Sequence, residues 1–122
     1  MRTAVIILFH GSRAEGAGDT AQRIVAEVGR RGKFGFVTIA FLQHVKPALM
    51  EAVHACVQQH AEKIVVVPFF LQMGIHVTAD IPALMDRVKK RYPELPIVAT
   101  DAVGSHPLMA EIVVELAREL EA

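Results

Sequence analysis

The sequence predicts an α/β fold: a four-stranded parallel sheet with helices on both faces, in the order 2-1-3-4. Three observations carry this expectation. Four short apolar runs rich in β-branched residues punctuate the chain. Four stretches with helix-period apolar spacing alternate with them. Loops bearing glycine or histidine follow the runs, where such folds place their ligands. Strict alternation of strand and helix implies right-handed crossovers. A length of 122 residues fits one domain spanning residues 1–122.

The first strand is read at Ala4–Phe9, apolar on both faces as a buried parallel strand is. A loop from Gly11 to Gly18 follows, and Asp19 with Gln22 offers a capping pair. Ala21, Ile24, Val25 and Val28 then repeat with helical period until the basic, glycine-bearing stretch Gly29–Gly35. Phe36–Leu42 is the second strand. Pro47 suits the start of the second helix, whose stripe is Leu49, Ala52, Val53, Cys56 and Val57. Ile64 to Phe69 or Phe70 is the third strand, and Pro68 is tolerable there if the strand is leaving the sheet. The third helix is expected from Thr78 or Asp80, with Ile81, Leu84, Met85 and Val88 inward. Pro96–Thr100 is the fourth strand. Ser105 is read as the cap of a last helix that turns Met109, Ile112, Val113, Leu116 and Leu120 to the core.

Composition removes several function classes. Thirteen basic and thirteen acidic residues balance, so a grip on nucleic acid through bulk charge is not expected. Aromatics are 6% with no Trp, which also argues against base-stacking platforms. Ile64–Leu71 is the longest apolar run, well under the roughly 20 residues of a membrane span. With no leader pattern, a cytoplasmic protein away from the membrane is expected. The single cysteine excludes an internal disulfide and a multi-thiolate zinc centre. It lies on an apolar stripe and reads as core filler.

Six histidines are the unusual count. In an order 2-1-3-4 the crevice opens between the first and third strands, at their carboxyl ends. The loops there carry His10 and His76. Neutral imidazole ligates metals and also takes a proton near pH 7. Two alone make a weak site, suited to a metal that must be handed on. Gly11, Ser12 and Arg13 follow His10 and offer backbone N–H groups and a guanidinium to an anion. Gly74 is read as the turn that presents His76. Phe69, Phe70, Leu71 and Met73 serve either as core or as the wall of a flat pocket. His54 and His60 are expected in solvent, and His106 at a helix start. His44 faces the crevice only if Gln43 does not, because neighbours on a strand alternate.

At these residues the chain resembles a known family. His10-Gly-Ser-Arg13, Ala40-Phe-Leu-Gln43 and Val67-Pro-Phe-Phe-Leu71 leading to Gly74-Ile-His76-Val-Thr-Ala-Asp80-Ile-Pro82 look like the short CbiX-type sirohydrochlorin chelatases. The resemblance covers nearly the whole chain. It implies a chelatase-like (flavodoxin-like) fold and ATP-independent insertion of a divalent metal into a tetrapyrrole by a homodimer. It makes His10 and His76 the catalytic and metal-handling pair. Gly11, Ser12, Arg13, Gln43, Lys46 and Gly74 become candidates for substrate contact, with Arg13 and Lys46 meeting the carboxylates of sirohydrochlorin. No tightly bound cofactor is expected. Cobalt(II), for cobalamin biosynthesis, is the first choice of substrate metal, with iron(II) for sirohaem and nickel(II) as alternatives. One departure stands out: the family often has Glu where this chain has Gln43, and an amide neither attracts a cation nor accepts a proton.

Two other functions use the same residues. A phosphoryl-transfer enzyme would use His10 as nucleophile, but such enzymes usually place Arg before it, where this chain has Phe9. A metal or tetrapyrrole carrier would bind without turnover.

Overall fold

The structure, a computed structural model, describes residues 2–12 and 17–121, with only the backbone of Ala17 and His76. Chain order is β1 (Thr3–Phe9), α1 (Ala17–Gly32), β2 (Phe36–Phe41), α2 (Leu49–Gln58), β3 (Lys63–Pro68), α3 (Ile75–Arg91), β4 (Ile97–Ala99), a 3-10 turn (Val103–Ser105) and α4 (Leu108–Arg118). The strands form one parallel sheet in the order β2-β1-β3-β4, as the alternation predicts.

Side chains alternate across the sheet, so each strand supplies two faces. Ala4, Ile6 and Leu8 of β1 point to one side with Ile64 and Val66 of β3 and Ile97 of β4. There they meet Leu49, Ala52, Val53 and Cys56 of α2 and Ile81, Met85 and Val88 of α3. This is the main core. Leu8, Ile64, Val53 and Val66 are fully buried within it, and each contributes roughly 1.5–3 kcal/mol on removal from water. On the opposite face α1 lays Ala21 over Ile39 and Phe41 of β2, with Phe9, Val25 and Val45 around them.

The predicted stripe of α2 is buried at Leu49, Ala52, Val53 and Cys56, with Val57 only half-buried, and Cys56 is core as read. Burial pushes its thiol up to about 11, because the apolar surroundings disfavour thiolate. Pro68 ends β3 opposite Leu8, where the chain leaves the sheet.

Four expectations need correction. First, α1 begins at Ala17, so Asp19 lies inside its first turn rather than capping it. Its charge still meets the positive end of the helix dipole. Second, α3 begins at Ile75, not at Thr78 or Asp80, which places Pro82 inside the helix. The Gly74 carbonyl accepts both the backbone N–H and the hydroxyl of Thr78, each at 2.9 Å, and these bonds close the early turn. Third, Ser105 does not cap α4. It closes the 3-10 turn, its hydroxyl donating to the Ala102 carbonyl at 2.7 Å. His106 takes the helix-start role instead, accepting the Leu108 N–H at Nδ1 at 3.1 Å. Fourth, α4 has no buried residue. Met109 is half-buried, while Ile112, Val113, Leu116 and Leu120 are exposed rather than core-facing. Helical period shows that a face is built for burial, but not what covers it.

His54 also departs from expectation. It is half-buried between α2 and α3, hydrogen-bonded to the Tyr92 hydroxyl and edge-on to its ring. His60 is exposed as read.

Candidate active site

With β1 at the centre of the order, β2 and β3 flank it, and the crest of β1 is the switch point of the sheet. The ladder continues past the strand ends. Leu42 N–H donates to Phe9 O at 2.8 Å and Gln43 N–H to His10 O at 3.1 Å. On the other flank Phe69 N–H donates to Leu8 O at 2.7 Å. These bonds carry His10, Gln43 and Phe69 to the same end of the sheet.

His10 is exposed there. Its ring stands edge-on to Phe70, with centroids 6.2 Å apart and planes at 88°. Nδ1 lies 3.2 Å from the Gly11 carbonyl, an acceptor, so the tautomer that satisfies this contact carries its proton on Nδ1. Nε2 then keeps its lone pair. The Gln43 amide nitrogen lies along the ring, 3.5 Å from Nδ1 and 3.4 Å from Nε2. Both separations are long for hydrogen bonds and leave the imidazole weakly held on that side.

Gly11 explains how the loop stays this tight. Its φ is +95°, a region that side chains rarely adopt, and a Cβ there would lie 1.9 Å from the Gln43 carbonyl oxygen. Glycine is thus the residue that allows the His10 loop to lie on the Gln43 backbone. The hollow beside it, about 360 Å³, is lined by Phe9, His10, Gly11, Ser12, Phe69 and part of α1. A larger hollow of about 690 Å³ lies on α1, lined by Arg23, Arg31 and neighbours. It holds no imidazole, so chemistry favours the smaller one.

The other candidates are placed as follows. His76 is the second residue of α3, so a helix N-terminus rather than a loop carries it; its side chain lies outside the described residues. Gly74 is the N-cap of α3 with φ −70° and open space where a Cβ would stand, so no left-handed turn requires glycine there. Lys46 is exposed between β2 and α2. Arg13 lies outside the described residues. His44 sits not on a strand but in a turn with φ +68°, because β2 ends at Phe41; the alternation argument does not apply to it.

The run 69–73 divides between both of its readings. Phe70 is buried in the main core, while Leu71 and Met73 are exposed. Ile75, in the first turn of α3, is 88% exposed. An apolar rim thus stands beside the backbone of His76. The support that Phe70 gives His10 was not legible in the sequence, since the residues are sixty apart. Among the described residues no group of three or more His, Cys, Asp or Glu side chains gathers as a metal cage.

The class is now definable. The sirohydrochlorin chelatase SirB of Bacillus subtilis subspecies spizizenii, solved in complex with cobalt, matches this fold with a TM-score of 0.87 at 28% identity, over 98% of this chain and 51% of its own. This fold is that of a chelatase unit.

Residues 4–120 match the CbiX family, and the chain belongs to it. The sirohydrochlorin cobaltochelatase of Methanopyrus kandleri is 29% identical over 95% of both chains. The sirohydrochlorin ferrochelatase of Priestia megaterium is 28% identical over 95% of this chain but only 44% of its own. The chain therefore spans about half the length of some relatives and nearly all of others. No helix among the described residues is long and apolar enough to cross a membrane.

Proposed function

We propose that this protein inserts a divalent metal, cobalt(II) in the first place, into sirohydrochlorin without ATP, as a step of cobalamin biosynthesis. The observation that carries the reading is the exposed His10 imidazole at the switch point, with Nδ1 turned to its own backbone and Nε2 left as a lone pair. The cobaltochelatase of similar length favours cobalt, and the ferrochelatase relative makes iron(II) the nearest alternative. Nickel(II) accepts the same ligands.

The chemistry needs few parts. Two pyrrole nitrogens must lose protons as the ion enters. The ion must shed water and must not be trapped. His10 Nε2 holds the incoming ion with His76 as its partner; as the ion passes to the ring, each released imidazole takes one of the two pyrrole protons. Two neutral ligands bind weakly enough to release the ion to four nitrogens of a macrocycle. Leu71, Met73 and Ile75 form an apolar rest for the ring, and Arg13 and Lys46 meet the peripheral carboxylates. Gly11, Ser12, Gln43 and Gly74 shape the contact surface. Gln43 contributes an amide N–H rather than charge, so the histidines carry the proton work.

A hollow of about 360 Å³ is small for a macrocycle with eight acid groups. With a relative twice as long, this favours two copies of the chain framing one substrate. Phe9 packs on Phe69 with centroids 5.0 Å apart, an apolar setting where a phosphohistidine enzyme would want arginine.

The test is purified protein with sirohydrochlorin and cobalt(II), iron(II) or nickel(II), followed by the shift of the tetrapyrrole absorption band. Multiple turnovers, fastest with cobalt(II), are expected. His10→Ala and His76→Ala should each slow insertion at least a hundredfold with the fold intact, and Arg13→Ala should raise the apparent KM. A stoichiometric change alone would make the protein a carrier. Full rate in both histidine variants would remove them from the site.

A further inference from the structure

Positive φ is uncommon outside glycine, and among the described residues Lys33, His44 and His60 adopt it. Two of them have an ordinary cause. Lys33 follows the last residue of α1. His60 closes α2, its N–H donating to Val57 O at 3.0 Å and the next N–H, of Ala61, to Cys56 O at 3.1 Å. Left-handed residues end helices in this way. His44 has no helix before it. It follows β2, and its φ is +68°. Val45 N–H donates across it to Gln43 O at 2.8 Å, which makes His44 the centre of a three-residue turn of the rare, strained hand.

The turn is fixed from both sides. Phe41 N–H donates to Pro47 O at 2.8 Å and closes the loop at its base. Gln43 N–H is laddered to His10 O, and the Gln43 carbonyl that receives Val45 lies where Gly11 leaves room for it. Leu42, Val45 and Pro47 are half-buried, while His44 at the tip is exposed. Both of its neighbours belong to the site. The Gln43 amide lies along the His10 ring, and Val45 lines the same hollow as His10. Packing does not call for a ring at this tip. Among the described residues no hydrogen bond or ion pair holds it. Gly or Asn would take the backbone shape with less strain. A strained residue held by its surroundings and exposed beside reacting groups is the pattern of a functional position.

We propose that His44 is an outer metal station: an imidazole ahead of His10 that takes the divalent ion from solvent and passes it inward. This rests on the chelatase reading above and adds to it the step by which the ion arrives. Gln43 is in register with His10, and neighbouring strands lie about 4.8 Å apart, so His44 stands one residue past the site and one strand across from it. A neutral imidazole replaces one water of a hydrated ion, and cobalt(II), iron(II) and nickel(II) all accept it. A ligand tethered beside His10 raises the effective concentration of the ion there. A single imidazole holds the ion more weakly than the inner pair does, so transfer runs inward. The pinned turn keeps the station at the crest.

Two substitutions separate the ring from the backbone. His44→Gly and His44→Ala both remove the imidazole, but only glycine takes φ +68° without strain. Melting followed by circular dichroism should place His44→Gly roughly 2–5 °C above His44→Ala. Titration calorimetry with cobalt(II) alone should show both variants binding about tenfold more weakly than wild type, the scale of losing an outer partner of a metal site. In metal insertion both should raise the apparent KM for cobalt(II) by a similar factor and lower kcat far less, with the KM for sirohydrochlorin unchanged. Wild-type cobalt(II) affinity and KM in both variants would overturn the station. A KM that rises for sirohydrochlorin instead would overturn the metal role and make His44 a substrate contact. His44→Gly melting below His44→Ala would show an unstrained turn and overturn the ground on which the proposal stands. If wild type inserts no metal, the chelatase reading fails, and the cobalt(II) titration still decides the role of His44 by itself.

Discussion

Replacing Gly11 by alanine should damage the site through backbone geometry alone. The added Cβ would stand 1.9 Å from the Gln43 carbonyl oxygen, more than 1 Å inside ordinary contact. That oxygen cannot yield freely, because it also accepts the Val45 N–H at 2.8 Å. A φ of +95° costs an alanine about 1–2 kcal/mol even without the clash. With the forced displacement the total should reach about 2–3 kcal/mol, in the range of strain at a special backbone position. For a domain of this size that corresponds to a fall in Tm of roughly 8–12 °C. The displacement falls on His10, the preceding residue, and a misplacement of about 1 Å costs on the order of a hundredfold in rate. Thermal melting followed by circular dichroism measures the first effect, and metal insertion at saturating sirohydrochlorin the second. If Gly11→Ala melts within 2 °C of wild type and keeps at least half its rate, the loop is not held by this contact, and the positioning of His10 has another origin.

Gln43→Glu should tighten divalent metal at His10 by several-fold to about tenfold, since a carboxylate would stand within 4 Å of the imidazole at a solvent-exposed site worth about 1 kcal/mol; calorimetric titration with cobalt(II) checks it, and unchanged affinity would separate Gln43 from the metal. Cys56 should resist thiol reagents in the folded protein at pH 8 and react on unfolding. Its pKa of about 11 exceeds that of an exposed thiol, so the unfolded chain releases the proton first. The stability tied to the neutral thiol is therefore complete below about pH 8.5 and declines as pH rises toward 11. Denaturant titrations across that range should show the decline in wild type and its absence in Cys56→Ala.

The strand runs, the α2 stripe and the place of His10 were legible from residue type and spacing. The reason is that apolar period and β-branching act locally, and the switch-point rule then locates the crest of β1. The start of α3 was not legible. Ile75-His76-Val77-Thr78 carries no cap signal, and the Gly74 carbonyl, with two donors from Thr78, closes the turn. His54 looked like a surface residue on α2 because nothing nearby in sequence satisfies it. Its partner, Tyr92, is 38 residues away. Gly11 showed itself as a turn residue, but its closeness to Gln43 depends on a ladder between two strands.

What the sequence determined alone was the set of elements, their parallel order and the imidazole at the sheet crest, all of which follow from short-range period and from chain connectivity. Tertiary structure decided contacts that join distant segments: Phe70 against His10, Gly11 against Gln43, and Gly104 against Leu71. It also decided the fate of α4. The apolar stripe on that helix states that burial must occur, but hydrophobic attraction has no direction and does not name the surface that supplies it.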